Sequence, residues 1–423
     1  MQVTADLLGS YFFICQLLLV CSLCILKGIV LTIYGGSAVK KERKLFPVIA
    51  LAVIVGLIVL TICTAGCAAL RSTNSPYVTE KHKKDISVFH ADTAIVMLSD
   101  IQCRDEEECA SIDTAFDNVN TMLTQAAGAH VVLLVAGDLT QEGKDWQIKD
   151  YKQKEKRVNA DAVYRVCGNH DVKSGLAQCK KLLGRDGLYY KKEIGNIVLI
   201  GLSNWHKDAV GNTELQRYLP KDGIAFLEKE GAEALVDKKL LFILTHEKPE
   251  GIAWLTDPRS FLFWKKYNPS NVYNSDELKA SLSTCTEAVG AEEGISVMYI
   301  YGHTHTPPEW PGTVTVNNDI LFINTSAMRT TSHIRDTRKF LPSSIVRRIF
   351  SSKRKGRGEP SKLDFAIARL FKAIFPWNKH STARVLFLEN GSDIAYLLTR
   401  NLSKDEWYDA AYMIKLGVPF QSK

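Results

Sequence analysis

Residues 298–308 read MYIYGHTHTPP, an apolar tract that runs into two histidines one residue apart and then into two prolines. The apolar run predicts a buried strand, and Gly302 allows the chain to turn where that strand ends. His303 and His305 are then held on a short loop at a strand end. Neutral imidazole is the commonest metal ligand among side chains, so the stretch predicts either a metal site or a turn with two solvated histidines.

The composition is that of a folded chain with one strongly basic region. Of the 423 residues, 46% are hydrophobic and 23% are charged, which excludes a disordered protein. The formal net charge is +7, but residues 332–381 alone hold 13 Lys or Arg against three acids. Five of the ten cysteines follow the apolar N-terminus. This odd number argues against a complete disulfide framework, although Cys103 and Cys109 could pair.

The N-terminal region has the composition of membrane-spanning helices. Residues 8–26 and 46–70 contain no charged side chain, and as helices both are long enough to cross a hydrocarbon core of about 30 Å. We therefore predict a transmembrane region over 1–71, with helices at about 8–34 and 46–70. The predicted protein is a multi-pass membrane protein with two spans.

The side of the membrane is less clearly indicated. Four basic residues between the spans favour a cytoplasmic loop, which would place the catalytic domain outside the cytoplasm. Arg71, Lys81, Lys83 and Lys84 follow the second span and favour the opposite orientation. The stretch TAGC, which ends at Cys67, resembles a lipobox, so a lipoprotein signal with lipidation of Cys67 is an alternative.

Beyond a polar stretch that we interpret as a linker, 72–92, apolar tracts of strand length alternate with helical patterns. Examples of the tracts are TAIVMLSD from Thr93 and VVLLVAGD from Val131. This alternation predicts an α/β fold whose sheet is covered by helices. The predicted domain bounds are 93–331 for the core, 332–383 for an inserted basic amphipathic segment, and 384–423 for the C-terminal strands and helix of the core.

Polar residues that can bind metal directly follow these apolar tracts. In an open α/β sheet, ligands bind at the carboxyl ends of the strands, so five separate pieces of sequence should converge on one crevice. A single strand-end aspartate is more often a helix cap or a turn residue, and the repetition is what favours a site. The candidate residues are Asp100, Gln102, Asp138, Asn169, His170, Asp171, His246, His303 and His305.

The order D-x-Q, GD, GNHD, H, GHTH resembles that of the calcineurin-like metallophosphoesterase superfamily. The resemblance covers about residues 93–330 and continues in the strands from Arg384 to Arg400. It implies a four-layer αββα sandwich, in which two mixed β-sheets are flanked by helices. It also implies a hydrolase that acts on phosphate esters with two divalent metal ions.

The resemblance assigns a role to each candidate residue. Asp138 would bridge the two ions. His170, oriented by Asp171, would contact the phosphate and protonate the leaving oxygen. The implied ligands are Asp100, Gln102 and His305 for one ion, and Asn169, His246 and His303 for the other.

Gln102 departs from the family pattern, in which His is the commoner residue. An amide oxygen is a harder ligand than an imidazole nitrogen, so this position favours Mn²⁺, with Mg²⁺, Fe or Zn as alternatives. The D-x-Q order also resembles the branch of the calcineurin-like phosphoesterase domain-containing phosphatases.

The basic insertion contains a predicted amphipathic helix. Leu363, Ile367, Leu370, Phe371 and Ile374 recur at helical spacing beside basic residues. Helices of this kind lie on membranes that contain anionic lipid. Packing of the helix on the sandwich is an alternative. Nucleic-acid binding is disfavoured, because no aromatic residues are interleaved in the basic run for stacking.

These features together predict a membrane-anchored dinuclear-metal phosphoesterase. It would hydrolyse phosphate mono- or diesters by a metal-activated water, on a lipid-linked or membrane-proximal substrate. The alternative is a non-catalytic membrane adaptor that keeps the fold and binds anionic lipid or a partner through the basic insertion. The substrate and the oligomeric state are left open by the sequence.

Overall fold

A computed structural model describes most of the chain beyond the N-terminal region. Within this part, no helix is both long enough and apolar enough to span a membrane. The predicted spans in 1–71, most of the basic insertion and the side chains of Cys103 and Cys109 lie outside the described residues. The described ranges are 75–86, 91–102, 106–124, 128–207, 215–252, 272–287, 293–309, 312–329 and 380–422.

Fifteen strands and five helices are described in these ranges. In chain order they are β1 (Val78–His82), β2 (Thr93–Leu98), α1 (Glu106–Leu123), β3 (His130–Ala136), α2 (Asp145–Glu155), β4 (Ala162–Val166), α3 (Leu176–Leu183), β5 (Tyr189–Ile194), β6 (Ile197–Leu202), β7 (Trp205–Lys207), β8 (Leu215–Arg217), α4 (Lys221–Val236), β9 (Leu240–Leu244), α5 (Ser275–Glu287), β10 (Val297–Tyr301), β11 (Val314–Asn317), β12 (Ile320–Asn324), β13 (Thr382–Leu388), β14 (Ile394–Asn401) and β15 (Glu406–Lys415).

The strands form two mixed sheets and one short hairpin. The seven-stranded sheet has the order β1-β15-β14-β13-β2-β3-β4, with β2, β3 and β4 parallel and the other pairs antiparallel. The six-stranded sheet has the order β11-β12-β10-β9-β6-β5, and its four central strands are parallel. Strands β7 and β8 pair only with each other.

Strand β2 shows why the chain folds into layers. All six of its side chains are buried. Val96 packs in a cluster with helix residues such as Phe116, whereas Ile95 packs in a second cluster with Leu199 and Phe242 of the other sheet. Successive strand side chains point to opposite faces, so a strand that is apolar throughout needs cover on both.

The three apolar clusters correspond to the three interfaces of a four-layer sandwich. One lies between the seven-stranded sheet and α1, α2 and α3. The second lies between the two sheets. The third lies between the six-stranded sheet and α4 and α5. The predicted arrangement of two mixed sheets with flanking helices is confirmed for the described residues.

The segment 72–92, predicted as a linker, contributes a strand to the fold. Strand β1 pairs with β15 at the edge of the seven-stranded sheet. Only Val78 of this strand is buried, and the four following residues are exposed. The polar composition therefore reflects an edge strand with little burial. A prediction based on apolar runs does not detect such a strand.

The predicted C-terminal helix is also wrong. Residues Glu406–Lys415 form β15, which pairs on one side with β14 and on the other with β1. Ala411 and Ile414 of this strand are fully buried. Two hydrogen-bonding neighbours outweigh the weak helical preference of the sequence DEWYDAAYMIK.

A disulfide joins Cys167 and Cys179, with a Cα–Cα distance of 6.1 Å and a sequence separation of 12. It links the end of β4 to α3, and both residues are fully buried. The sequence analysis did not predict this pair. Cys285, in α5, is buried and free.

Candidate metal centre

In each sheet, backbone hydrogen bonds join the loops that leave two neighbouring parallel strands. The amide of Asp100, after β2, donates to the carbonyl of Gly137 at 3.0 Å. In the other sheet, the amide of Gly302, after β10, donates to the carbonyl of His246, after β9, at 3.1 Å. Because parallel strands end on the same side, these loops share one edge of the sandwich.

Two groups of potential metal ligands meet at this edge. Asp138, His246 and His303 form one group, and Asp100, Asp138 and His305 form the other. Within each group, the ligand atoms lie within 4.8 Å of one another. Asp138 belongs to both groups, which is the position that the sequence analysis gave to a bridging carboxylate.

Individual distances show how close these side chains lie. Nε2 of His246 is 3.4 Å from Oδ2 of Asp138, and Nε2 of His305 is 2.9 Å from Oδ1 of Asp100. Nδ1 of His303 and Nε2 of His246 are 3.1 Å apart. Nitrogen and carboxylate donors at these separations suit divalent transition metals.

The two amide residues of the predicted ligand set also reach the centre. Nε2 of Gln102 donates to Oδ2 of Asp138 at 3.4 Å, and Asn169 directly precedes His170, whose amide donates to Oδ1 of Asp138 at 2.7 Å. The side-chain carbonyl oxygens of Gln102 and Asn169 are buried and accept no hydrogen bond from any described residue. An unpaired buried oxygen is costly, and a bound cation would satisfy it. The residues therefore fit two metal ions.

Four of the candidate ligand residues have a left-handed backbone. The φ angles are 51° for Asp100, 54° for Asp138, 68° for His303 and 53° for His305. Residues other than glycine rarely adopt this conformation, and the strain that it carries concentrates at functional sites. The backbone geometry therefore supports the assignment of these four residues to a functional site, independently of the chemistry of their side chains.

Two glycines permit the close approach of the loops. A Cβ atom at Gly168 would lie 2.3 Å from Oδ1 of Asp138, and one at Gly302 would lie 2.5 Å from Oγ of Ser99. Gly302 itself has no positive φ, so the turn that we assigned to it is made by His303. Its role is to leave space for a neighbouring loop.

Asp138 is buried and remains ionised. Burial alone would raise its pKa, but the positive charges of His246 and His170 hold that pKa well below the usual range. A buried carboxylate at a junction of two donor groups concentrates negative charge where cations would sit.

The ring of His170 is held by a backbone carbonyl, and not by Asp171 as we predicted. Its Nδ1 lies 2.8 Å from the carbonyl oxygen of Gln141 and 2.6 Å from Nζ of Lys173. These contacts occupy Nδ1, so Nε2 is the nitrogen available for proton exchange with a substrate. Burial lowers the pKa of His170, and the negative charge of Asp138 opposes this effect.

Asp171 fastens two loops together. Its carboxylate accepts hydrogen bonds from the amides of Leu139, Thr140 and Gly168 at 3.1, 2.7 and 2.9 Å, and from the hydroxyl of Thr140 at 2.8 Å. Burial and the charge of Asp138 raise the pKa of Asp171 to about 7, although these hydrogen bonds oppose the rise. The predicted His170–Asp171 dyad fails because the carboxylate points back into the loop that follows β3.

Comparison with known protein families gives one match. The model of the calcineurin-like phosphoesterase family matches residues 93–307, about half of the chain. The chain belongs to the calcineurin-like phosphoesterase family. As a member of this family it is a hydrolase of phosphate esters, and the two donor groups around Asp138 are the candidates for its dinuclear metal site. No curated protein matches the sequence.

Solved structures that resemble this chain include two phosphatases and a membrane-complex protein. A dimetal phosphatase from Danio rerio is 10% identical, with a TM-score of 0.46, and the match covers 77% of this chain and 99% of that one. Purple acid phosphatase PPD1 from yellow lupin is 13% identical (TM-score 0.45, 76% and 53% covered). GAP50, the anchor in the inner membrane complex of Plasmodium, is 12% identical (TM-score 0.42, 78% and 90% covered).

The sequence analysis missed three residues beside the centre of this calcineurin-like phosphoesterase. They are Gln141, whose carbonyl holds His170, Lys173, which contacts the same ring, and Arg329, whose amide donates to the carbonyl of Asp100 at 3.0 Å. Lys173 comes two residues after the GNHD motif, and Arg329 follows β12, a further parallel strand. Inspection of every strand end for cations would have found Arg329.

Proposed function

We propose that the protein is a membrane-anchored dinuclear phosphoesterase that hydrolyses phosphate mono- or diesters close to a membrane. The observation that carries the catalytic part of this proposal is the sharing of Asp138 between two groups of ligand atoms. A carboxylate that is shared by two groups of ligand atoms can serve one ion in each group. This arrangement fits a pair of ions better than a single ion.

The ions and the protein side chains have separable tasks. Two divalent cations, when bound, would polarise the phosphoryl oxygens and lower the pKa of an attacking water. His170 would deliver a proton to the leaving oxygen, since its Nδ1 is occupied by Gln141 and Lys173. Asp171 would keep the loops after β3 and β4 in register through its four accepted hydrogen bonds.

The proposed metal is Mn²⁺. The buried amide oxygens of Gln102 and Asn169 are hard ligands, and such ligands favour Mn²⁺ or Mg²⁺ over softer ions. Zn²⁺ and iron are the alternatives that the histidines would accept.

Membrane anchoring is proposed from the uncharged stretches 8–26 and 46–70, and from the basic insertion. We propose that the catalytic domain lies outside the cytoplasm. The Cys167–Cys179 disulfide supports this side, because disulfides persist in oxidising compartments and are rare in the cytosol.

Metal binding and hydrolysis test the catalytic proposal together. Full-length protein in detergent is titrated with Mn²⁺ by calorimetry and then assayed with 4-nitrophenyl phosphate and bis(4-nitrophenyl) phosphate. We expect two bound ions per chain and hydrolysis of at least one ester. Protein that binds no metal and hydrolyses neither ester would support the adaptor alternative instead.

Protease accessibility tests the membrane side. In sealed vesicles of known orientation, a protease should cut the catalytic domain only when it is added on the non-cytoplasmic side.

A deletion tests the role of the basic insertion. Deletion of 340–379 should weaken binding of a soluble form lacking 1–71 to vesicles of anionic lipid. Vesicle binding that persists after the deletion would remove the proposed role of the insertion.

A further inference from the structure

Arg384, in β13, is a cation that is completely buried. None of its surface is exposed, and the four hydrogen bonds that it donates within the described residues all go to neutral oxygens. A buried charge that is balanced only by dipoles is costly, and an apolar side chain of similar length would fill the same space without that cost. The groups that accept these hydrogen bonds show what the charge holds in place.

One side of the guanidinium binds the loop that carries two of the candidate ligands. We call residues 302–308 the histidine loop. Nη2 of Arg384 donates to the carbonyl of Pro308, the last residue of this loop, at 3.4 Å and to the hydroxyl of Thr313 at 2.9 Å. The same hydroxyl donates to the carbonyl of Pro308 at 2.9 Å. Arg384 and Thr313 together therefore hold the C-terminal end of the histidine loop.

Another nitrogen of the guanidinium fixes Asn324, which holds the beginning of the same loop. Nε of Arg384 donates to the carbonyl of Asn324 at 2.7 Å. The side-chain amide of Asn324 donates to the hydroxyl of Thr304 at 2.9 Å and to the carbonyl of Gly302 at 3.4 Å. Gly302 and Thr304 are the two neighbours of His303 in the chain. Both ends of the histidine loop are therefore held by groups that Arg384 contacts.

The histidine loop needs this support because its backbone is strained at both candidate ligands. The φ angles of His303 and His305 are 68° and 53°, and residues other than glycine persist in this conformation only where surrounding contacts hold them there. His303 and His305 belong to different groups of ligand atoms. A relaxed histidine loop would therefore withdraw one ligand from each of the two ions.

We propose that Arg384 is a positioning residue for the metal centre, which holds the histidine loop in the conformation that lets His303 and His305 each bind one ion. The inference rests on the metal-binding part of the proposed function. It assigns a task to β13, a strand that carries none of the candidate ligands. Arg384 acts through hydrogen bonds to the loop and does not itself contact a metal ion.

Metal titration of matched variants tests this proposal. Full-length protein in detergent is titrated with Mn²⁺ by calorimetry. Arg384→Met should lower the affinity for both ions by about tenfold or more, since loss of a group that supports metal ligands typically lowers metal affinity by about 10- to 100-fold. Arg400→Met is the control, because it removes a second buried arginine, which lies in β14 and is bound to Asp405. It should leave both affinities within about twofold of the wild-type values.

Two threonines give a milder test that keeps the charge and decides the question even if Arg384→Met does not fold. Thr313 and Thr399 each accept a hydrogen bond from Arg384, at 2.9 and 3.2 Å, but Thr399 lies in β14 and not beside the histidine loop. Thr313→Val should lower the Mn²⁺ affinity roughly threefold or more. Thr399→Val removes the same kind of contact and should change it little. Urea denaturation of both metal-free variants would show whether they lose similar stability.

The outcomes separate positioning from general support of the fold. Weaker Mn²⁺ binding in Arg384→Met and Thr313→Val, with normal binding in Arg400→Met and Thr399→Val, supports the proposal. If a control loses as much affinity as its matched variant, or if no variant loses affinity, the proposal is overturned while the metal centre stands. Wild-type protein that binds no Mn²⁺ would defeat the proposed function, and this inference with it.

Discussion

Asp138 and Asp405 both have a left-handed backbone, but only Asp138 lies among the candidate metal ligands. Asp138, after the parallel strand β3, has a φ of 54°, and Asp405, in the β14–β15 hairpin, has a φ of 55°. Asp405 is part-exposed and paired with Arg400 at 2.5 Å. Asp138 is buried and shared between two groups of ligand atoms. A left-handed residue therefore indicates function only where burial and converging donors accompany it.

The same contrast holds for the regions around these residues. The antiparallel strands β13, β14 and β15 join neighbours through short turns, and the hairpin turn is polar and solvated. The parallel strands end together in loops that bury Asp100, Asp138, Asp171 and His246. Buried polar groups need partners, and some side-chain oxygens at this edge have none among the described residues.

The sharpest test of the comparison is to neutralise each aspartate. Asp138→Asn removes the charge shared by both donor groups and should lower kcat/KM by about 10³-fold or more, since metal-ion stabilisation of the transition state contributes several kcal/mol. Asp405→Asn should leave kcat/KM within about twofold, because a part-exposed ion pair contributes little. Steady-state hydrolysis and calorimetric metal titration would be measured on both variants. Similar losses in the two would contradict the distinction.

Removal of an imidazole from each region should give the next largest difference. His170→Ala is expected to lower kcat by about 10²-fold or more, since general acid catalysis contributes at least that factor, while Mn²⁺ affinity is retained. His82→Ala, in β1, removes an exposed ring that contacts Asp409 at 2.8 Å and should not change kcat. Loss of metal binding in His170→Ala would make His170 a ligand and would end its assignment as the acid.

The disulfide should matter more than the ion pair of the hairpin. Replacing Cys167 and Cys179 by Ala is expected to lower the free energy of unfolding by about 2–4 kcal/mol. Asp405→Asn, which removes the charge at the exposed end of the Arg400–Asp405 pair and leaves an amide oxygen for Arg400, should cost less than about 1 kcal/mol. Urea denaturation of the metal-free soluble form would measure both. Wild-type protein treated with dithiothreitol is the matched control and should resemble the cysteine variant.

Glu247, a buried glutamate next to the candidate metal centre, should give the smallest of these effects. The stability of the metal-free protein should depend on pH because of this residue. Neither carboxylate oxygen of Glu247 has a hydrogen-bond partner among the described residues, and burial raises the pKa of Glu247 to about 7. Because the folded-state pKa lies above the unfolded value, the metal-free protein should lose stability as the pH rises from about 4.5 to about 7. Glu247→Gln should regain roughly 1–3 kcal/mol at pH 8. Glu406→Gln, on exposed β15, should change nothing, and equal stability curves for all three proteins would refute the prediction.

Much of the centre could be predicted because each candidate follows an apolar strand directly. That rule placed Asp100, Asp138, His246, His303 and His305 together without any three-dimensional information, and the structure brings their ligand atoms within reach of one another. The alternation of strands and helices predicted an α/β fold, whereas the two mixed sheets were implied by the resemblance to the calcineurin-like superfamily. Strand ends are informative because the parallel direction fixes which end of each strand meets the others.

The rest could not be predicted because it depends on contacts between distant segments. Asp171 is adjacent to His170 in sequence, yet its carboxylate binds amides of the loop after β3. A helix was expected within 384–423, where the structure has β15 instead, because the pairing of that strand with β1 and β14 is not visible in its own sequence. Arg329 lies more than 200 residues from Asp100, whose carbonyl receives its amide proton.

The disulfide between Cys167 and Cys179 closes a covalent ring around a segment that includes Asn169, His170, Asp171 and Lys173. A protease that cleaves one peptide bond inside this ring would leave both fragments joined. Such a nicked protein would migrate as one species on a non-reducing gel and separate only after reduction. Electrophoresis with and without a thiol would then report directly whether the bridge is present in protein isolated from its natural source.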